Sequence, residues 1–169
     1  MATTHELLSS GRWQGISLPE LIRQELAPYA TRHNTKISGP EVVLRPEAGQ
    51  AMAMVLHELA TNAAKYGALS QKQGRVSIRW ERHLNGGPLR LVLEWQELGG
   101  PPVVDPDKAN FGMSTIRDLV PYEFAGKVDL TFAREGVRCR VELPADWLIS
   151  NADSATKTIA HAFLRTGSA

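Results

Sequence analysis

The chain of 169 residues holds one cysteine, Cys139, so an internal disulfide is excluded, and no Cys/His group has the spacing of a metal site. No apolar run reaches the length of a membrane-spanning helix, and none follows a basic start in the manner of a secretion signal. Charge of one sign is lacking too. The 19 Lys and Arg nearly cancel the 18 Asp and Glu, so no global field gathers nucleic acid or an anionic membrane. Any anion must therefore be held by a local pocket. Also absent are the G-x-x-x-x-G-K-S/T phosphate loop, the H-R-D and D-F-G pair and the G-x-S-x-G nucleophile turn. The chain reads as cytoplasmic, without the commonest nucleotide, hydrolase or zinc devices.

What is present suffices for one core, since 43% of the residues are hydrophobic. Leu18, Leu21, Ile22 and Leu26 recur at helical spacing behind Pro19, which predicts a helix from Leu18 to about Ala30. A short strand is expected around Glu41 to Leu44, after the Ser38-Gly39-Pro40 turn. A long helix follows from about Pro46 to Tyr66, with Gly67 as a left-handed cap. Four segments then alternate with period two, around Val76–Trp80, Leu89–Gln96, Val128–Phe132 and Val137–Leu143. Asn85-Gly86-Gly87-Pro88 joins the first pair as a hairpin, and Arg134-Glu135-Gly136 joins the second. Strict alternation leaves one sheet face wet, so the helices must cover the other. The fold class is α+β, a two-layer sandwich.

Within the long helix, Glu58, Asn62 and Lys65 fall inside roughly 60° of arc and share one face. Met52, Leu56, Leu59, Ala60 and Ala63 gather on the other side. A carboxylate, a carboxamide and an ammonium over a cleft are the groups that a magnesium–nucleotide site needs. The inward set Leu89, Leu91, Leu93, Trp95 extends to Glu97, whose carboxylate should point at the core where the strand ends. Such a group requires hydrogen-bond donors from the protein or from a ligand, and an adenine amine is one such ligand. Gly99-Gly100-Pro101-Pro102 lets the backbone pass close to a bound ring.

These residues converge on a family. The segments His57-Glu58-Leu59-Ala60-Thr61-Asn62 through Leu69, Trp95-Gln96-Glu97-Leu98-Gly99-Gly100-Pro101, Phe111-Gly112 and Glu135 to Pro144 resemble the HWE class of bacterial sensor histidine kinases, with His57, Trp95 and Glu97 as the three letters. The resemblance implies the Bergerat ATP-binding sandwich, with helices on one face of a mixed, mostly antiparallel sheet. It implies ATP and Mg²⁺ as cofactors. Asn62 would contact magnesium directly, and Glu58 would be the catalytic carboxylate, orienting magnesium-bound water and helping to activate the attacking group. Lys65, Tyr66, Glu97, Gly99 and Gly112 would complete the nucleotide site, with Glu97 in place of the aspartate that reads the adenine amine. Where relatives usually carry glycine this chain has Asn110, and the covering segment from Pro101 is short; Asp105 and Asp107 within it are expected to point outward.

The implied reaction moves the γ-phosphoryl group of ATP to a histidine on a dimerisation domain, and then to a response-regulator aspartate. None of His5, His33, His57, His83 or His161 has the sequence context of that acceptor, so the chain is not expected to phosphorylate itself. Its partners would be the histidine-bearing dimerisation domain and the response regulator, with no nucleic acid and no membrane contact. Residues 1–17 resemble the stretch that follows the dimerisation helices, which suggests an excised domain; 18–144 would be the catalytic unit and 145–169 an extension with some helical spacing. Two other readings compete: a degenerate nucleotide-binding module that regulates by binding, and an anti-sigma-type serine kinase on the same sandwich. Individual residues also have plainer readings. The helix face could be a solvated one with an intrahelical charge pair. His57 is read as structural, Trp95 and Cys139 as core, and Arg138 and Arg140 as the wet sheet face.

Overall fold

A computed structural model of the protein describes residues 15–84, 87–102 and 111–149, with backbone alone over 111–116. Elements follow in the order β1 (Ile16–Ser17), α1 (Leu18–Leu26), β2 (Thr35–Ser38), β3 (Val43–Leu44), α2 (Pro46–Lys65), β4 (Arg75–His83), β5 (Arg90–Leu98), α3 (Phe111–Phe124), β6 (Lys127–Ala133) and β7 (Gly136–Pro144). Single 3₁₀ turns sit at Ala68–Ser70 and Ala145–Trp147. Five strands make one sheet in the order β2-β4-β5-β7-β6, and β1 pairs with β3 separately. Only β2 runs parallel to its neighbour, β4; every other pairing in the large sheet is antiparallel. That is the mixed, mostly antiparallel sheet expected.

The alternating segments became the four long strands because their apolar parity matches the pleat. Val76, Ile78 and Trp80 on β4, Leu91, Leu93 and Trp95 on β5, and Cys139, Val141 and Leu143 on β7 all point into the core and are buried. Opposite them, α2 buries Met52, Val55, Leu56, Leu59, Ala60 and Ala63. Its many alanines shorten the distance at which a helix can pack, and α1 brings Leu18, Leu21, Ile22 and Leu26 against it. The outer face is charged. In register across four strands stand Arg79, Glu94, Arg140 and Asp129, so signs alternate along the row. Arg79 donates to Glu94 at 2.7 Å, and that bond holds the Glu94 carboxyl below its usual range. Arg138 and Arg140 lie on this face, as the strand parity requires.

Several boundaries differ from those expected. The first helix stops at Leu26 and not near Ala30, because Pro28 has no amide to continue the helical bonding; Ala27 keeps helical angles, and the Tyr29 and Ala30 amides bond to Leu26 O in a terminal turn. Of Glu41 to Leu44 only Val43–Leu44 is a strand, and Glu41 instead accepts a hydrogen bond from Ser17 Oγ at 2.8 Å. Strand β2 was not anticipated, since Thr35–Ser38 carries one strong apolar residue, Ile37. The second helix ends at Lys65, with Tyr66 as its cap residue. At the other end of the chain, Ala145 to Ile149 folds back on the domain: Leu148 bridges to Leu44, and Ile149 N donates to Val43 O at 2.8 Å. Trp147 stacks edge-on against Phe124 with ring centroids 4.8 Å apart, and its indole donates to Phe124 O. Residues 1–14 and 150–169 lie outside the described residues, as do Gly86 and Asn85 of the first hairpin loop.

Candidate functional site

Helix α2 presents Glu58 and Asn62 half-buried and Lys65 exposed along its one polar stripe. A rise of about 1.5 Å per residue spreads the three over about 10 Å, the length of a short polyphosphate. Tyr66, at the cap, is 60% exposed. His57 stands to the side of this stripe with its ring in solvent, and its Nδ1 lies 3.3 Å from Glu25 Oε2 on α1. That contact ties α1 to α2, the structural role expected for it. Among the described residues no group of three or more His, Cys, Asp or Glu could hold a metal ion. Glu58 and Asn62 together nevertheless offer a carboxylate and an amide oxygen on one face, which are hard donors. Such a pair fits magnesium, which keeps waters and takes phosphate oxygens in place of a protein cage.

Glu97 lies at the end of β5, and it is the sole charged side chain among the described residues that is buried, at 3% exposure. Its burial follows from the pleat, since Glu97 shares the inward parity of Leu93 and Trp95. Two protein donors hold it. The Ala68 amide donates to Oε1 at 3.0 Å, and the Trp95 indole Nε1 donates to Oε2 at 3.0 Å. Burial pushes the Glu97 carboxyl up from its ordinary value, and the two hydrogen bonds oppose that push. Since a carboxylate offers about four acceptor sites, roughly two remain for a further donor.

The glycines around Glu97 have a reason that differs from the one expected. Gly67 is not a left-handed cap; its φ is −112°, and the helix is closed by its amide bonding to the Asn62 and Ala63 carbonyls. It is glycine because a Cβ there would run into Glu97 Oε1. Gly99, with φ at +75°, does take the left-handed conformation, so the chain turns directly after β5. Helix α3 begins at Phe111, which places Gly112 in its first turn, where amides lack intrahelical partners. Asn110, Asp105 and Asp107 lie outside the described residues.

The structure therefore brings Glu97 against the segment that leaves α2, so that the end of β5 and the Gly67–Ala68 turn border one another. Three participants escaped a reading of side chains. The Ala68 amide is a backbone group, the Gly67 contact is an exclusion of volume, and the Trp95 indole was assigned to the core without a partner. Trp95 is indeed core, at 1% exposure, yet its N–H is turned onto Glu97. The signal that could have found it was the i, i+2 spacing, which puts both residues on one face of one strand.

Comparison with known proteins agrees with this architecture. Residues 1–41 match the family model described as HWE histidine kinase. A blue-light-activated histidine kinase of Rhizobium johnstonii is 36% identical over 145 residues, which is 86% of this chain and 41% of that protein. The chain carries a catalytic domain of the HWE histidine kinase class. A second relative, the blue-light-activated histidine kinase of Brucella anthropi, is 32% identical over 146 residues, 85% of this chain and 30% of its own length. The chain thus spans less than half the length of these curated relatives. The histidine kinase domain of the Erythrobacter litoralis EL346 blue-light activated histidine kinase shares the fold at a TM-score of 0.58 and 18% identity, covering 76% of this chain and 59% of that one. The catalytic domain of the histidine kinase ThkA does so at 0.55 and 18%, covering 76% of this chain and 94% of its own.

Proposed function

We propose that this HWE domain binds ATP with Mg²⁺ between α2 and the open end of the sheet. It would then present the γ-phosphoryl group to a histidine on a dimerisation domain, from which the group passes to a response-regulator aspartate. One observation carries the reading: a buried carboxylate with spare acceptor capacity stands beside the end of a helix whose polar face holds Glu58, Asn62 and Lys65. An adenine amine matches Glu97, and the polyphosphate then runs along the α2 stripe. Magnesium, when bound, offsets phosphate charge and aligns the transferred group. Asn62 supplies its amide oxygen to that ion, and Glu58 orders water around it. Lys65 brings a positive charge toward the phosphates, Tyr66 borders the sugar or base, and Gly99 lets the backbone approach the ring. The free amides of the α3 first turn at Gly112 add positive potential. A domain that consumes ATP belongs on the cytoplasmic side, and no helix among the described residues is long and apolar enough to cross a membrane.

The relatives named above favour transfer to histidine over a serine-kinase or purely regulatory reading. A ThkA structure in complex with its response regulator, similar to this chain at a TM-score of 0.53, supports a response regulator as the downstream partner. Titration with a fluorescent ATP analogue tests the site. Asn62→Ala should weaken binding about tenfold or more with magnesium and change it little without. Equal affinity of the two proteins in magnesium would remove Asn62 from the metal site.

A further inference from the structure

Glu97 is fixed from two directions, one donor on each oxygen. The Ala68 amide takes Oε1 and the Trp95 indole takes Oε2, both at 3.0 Å, so the carboxylate cannot rotate without breaking one of them. Two glycines let the backbone approach Glu97 closely. A Cβ on Gly67 would collide with Oε1, and one on Gly136, where φ is +148°, would collide with the Glu97 carbonyl. A carboxylate held this way shows only acceptor lone pairs to its surroundings, because both of its neighbours are donors.

We propose that Trp95 is a positioning residue for base selection: its indole N–H, with the Ala68 amide, holds Glu97 as an acceptor-only group that favours a purine with a 6-amino group over one with a 6-oxo group. The proposal rests on the reading of Glu97 as the adenine contact and adds the device that makes the contact selective. Without the indole donor, burial favours the neutral acid, whose O–H can donate to a 6-oxo group, and the free oxygen can swing. Either change erodes selectivity. Among the described residues, Gly67 and Gly136 approach Glu97 at the turn and the hairpin, and Val76 is its partner on β4.

Affinities for ATP and inosine triphosphate, measured on the full chain and its variants, test the idea. The wild-type protein should prefer ATP by about tenfold or more, the scale of one hydrogen bond to a charged group. Trp95→Phe keeps the ring and deletes the donor, and should bring the ATP-to-inosine ratio down to within about threefold of unity. A merely structural loss would weaken both nucleotides alike and leave the ratio in place. Gly67→Ala, which pushes on Oε1 with the indole intact, should collapse the ratio as well, and it decides the matter if Trp95→Phe does not melt cooperatively. A folded variant of either kind with the wild-type ratio overturns the proposal. Failure of the wild-type chain to bind ATP overturns instead the adenine reading beneath it.

Discussion

At the residue scale, Glu97 has an inverted relation between pH and stability. An exposed, ion-paired carboxylate stabilises when ionised, but burial raises the folded pKa of Glu97 above its ordinary 4.5. Between the unfolded and folded values the native state holds the extra proton, so this group's contribution is full below 4.5 and declines as pH rises through the folded value. Glu97→Gln removes the titration. It also turns an amide N–H₂ toward one of two donors, which imposes a constant loss. The gap in melting temperature between wild type and Glu97→Gln should therefore be widest in acid and narrow toward neutral pH; a gap independent of pH would mean that Glu97 does not titrate in this range. Cys139 gives a second, simpler expectation. Burial pushes its thiol up to about 12, so a maleimide should label it at neutral pH only after unfolding. Labelling of the native chain at the rate of a free thiol would contradict the burial.

At the element scale, α2 divides its work by face. Leu59 is 1% exposed beneath the sheet, whereas Met54 is 46% exposed. Leu59→Ala should cost about 2–5 kcal/mol in urea unfolding, and Met54→Ala about 0.5 kcal/mol or less. Comparable losses for the two would mean that the helix is packed differently. This same helix was legible from its apolar spacing, as were the four long strands, because strict parity has one physical solution once a core exists. Strand β2 was not, since four residues with one strongly apolar side chain, Ile37, carry too little pattern and owe their conformation to β4. The site divides likewise. The inward aim of Glu97 followed from the register of β5, but nothing in a string of letters distinguishes a glycine that needs positive φ, as Gly99 does, from one that yields space, as Gly67 does. Backbone donors such as the Ala68 amide carry no letter of their own.

At the scale of the whole molecule, the proposed reaction needs a second body. Transfer between separate molecules forgoes the roughly 10⁵ M and higher effective concentration of an aligned acceptor, so geometry governs the rate. The chain incubated with ATP and magnesium should acquire no acid-labile phosphate above background, while addition of a dimerisation domain from the same class should produce it. Phosphate appearing on a histidine of the isolated chain would refute this division of labour. The outer sheet face is charged but internally balanced, with Arg79, Glu94, Arg140 and Asp129 alternating in sign, which disfavours non-specific association through that face.

Strand β3 ties together two distant stretches of sequence. On one side it pairs with Ile16–Ser17, and on the other it receives Leu148 and Ile149. Both stretches run into the body at one corner, and a pull on either is borne by the same few backbone bonds, among them Arg45 N to Trp147 O at 2.8 Å. Whatever is joined before Ile16 and after Ile149 thus shares a single mechanical anchor. Glu97 and the end of α2 lie at the opposite ends of β5 and α2 from that anchor, so the candidate site carries none of the load borne there.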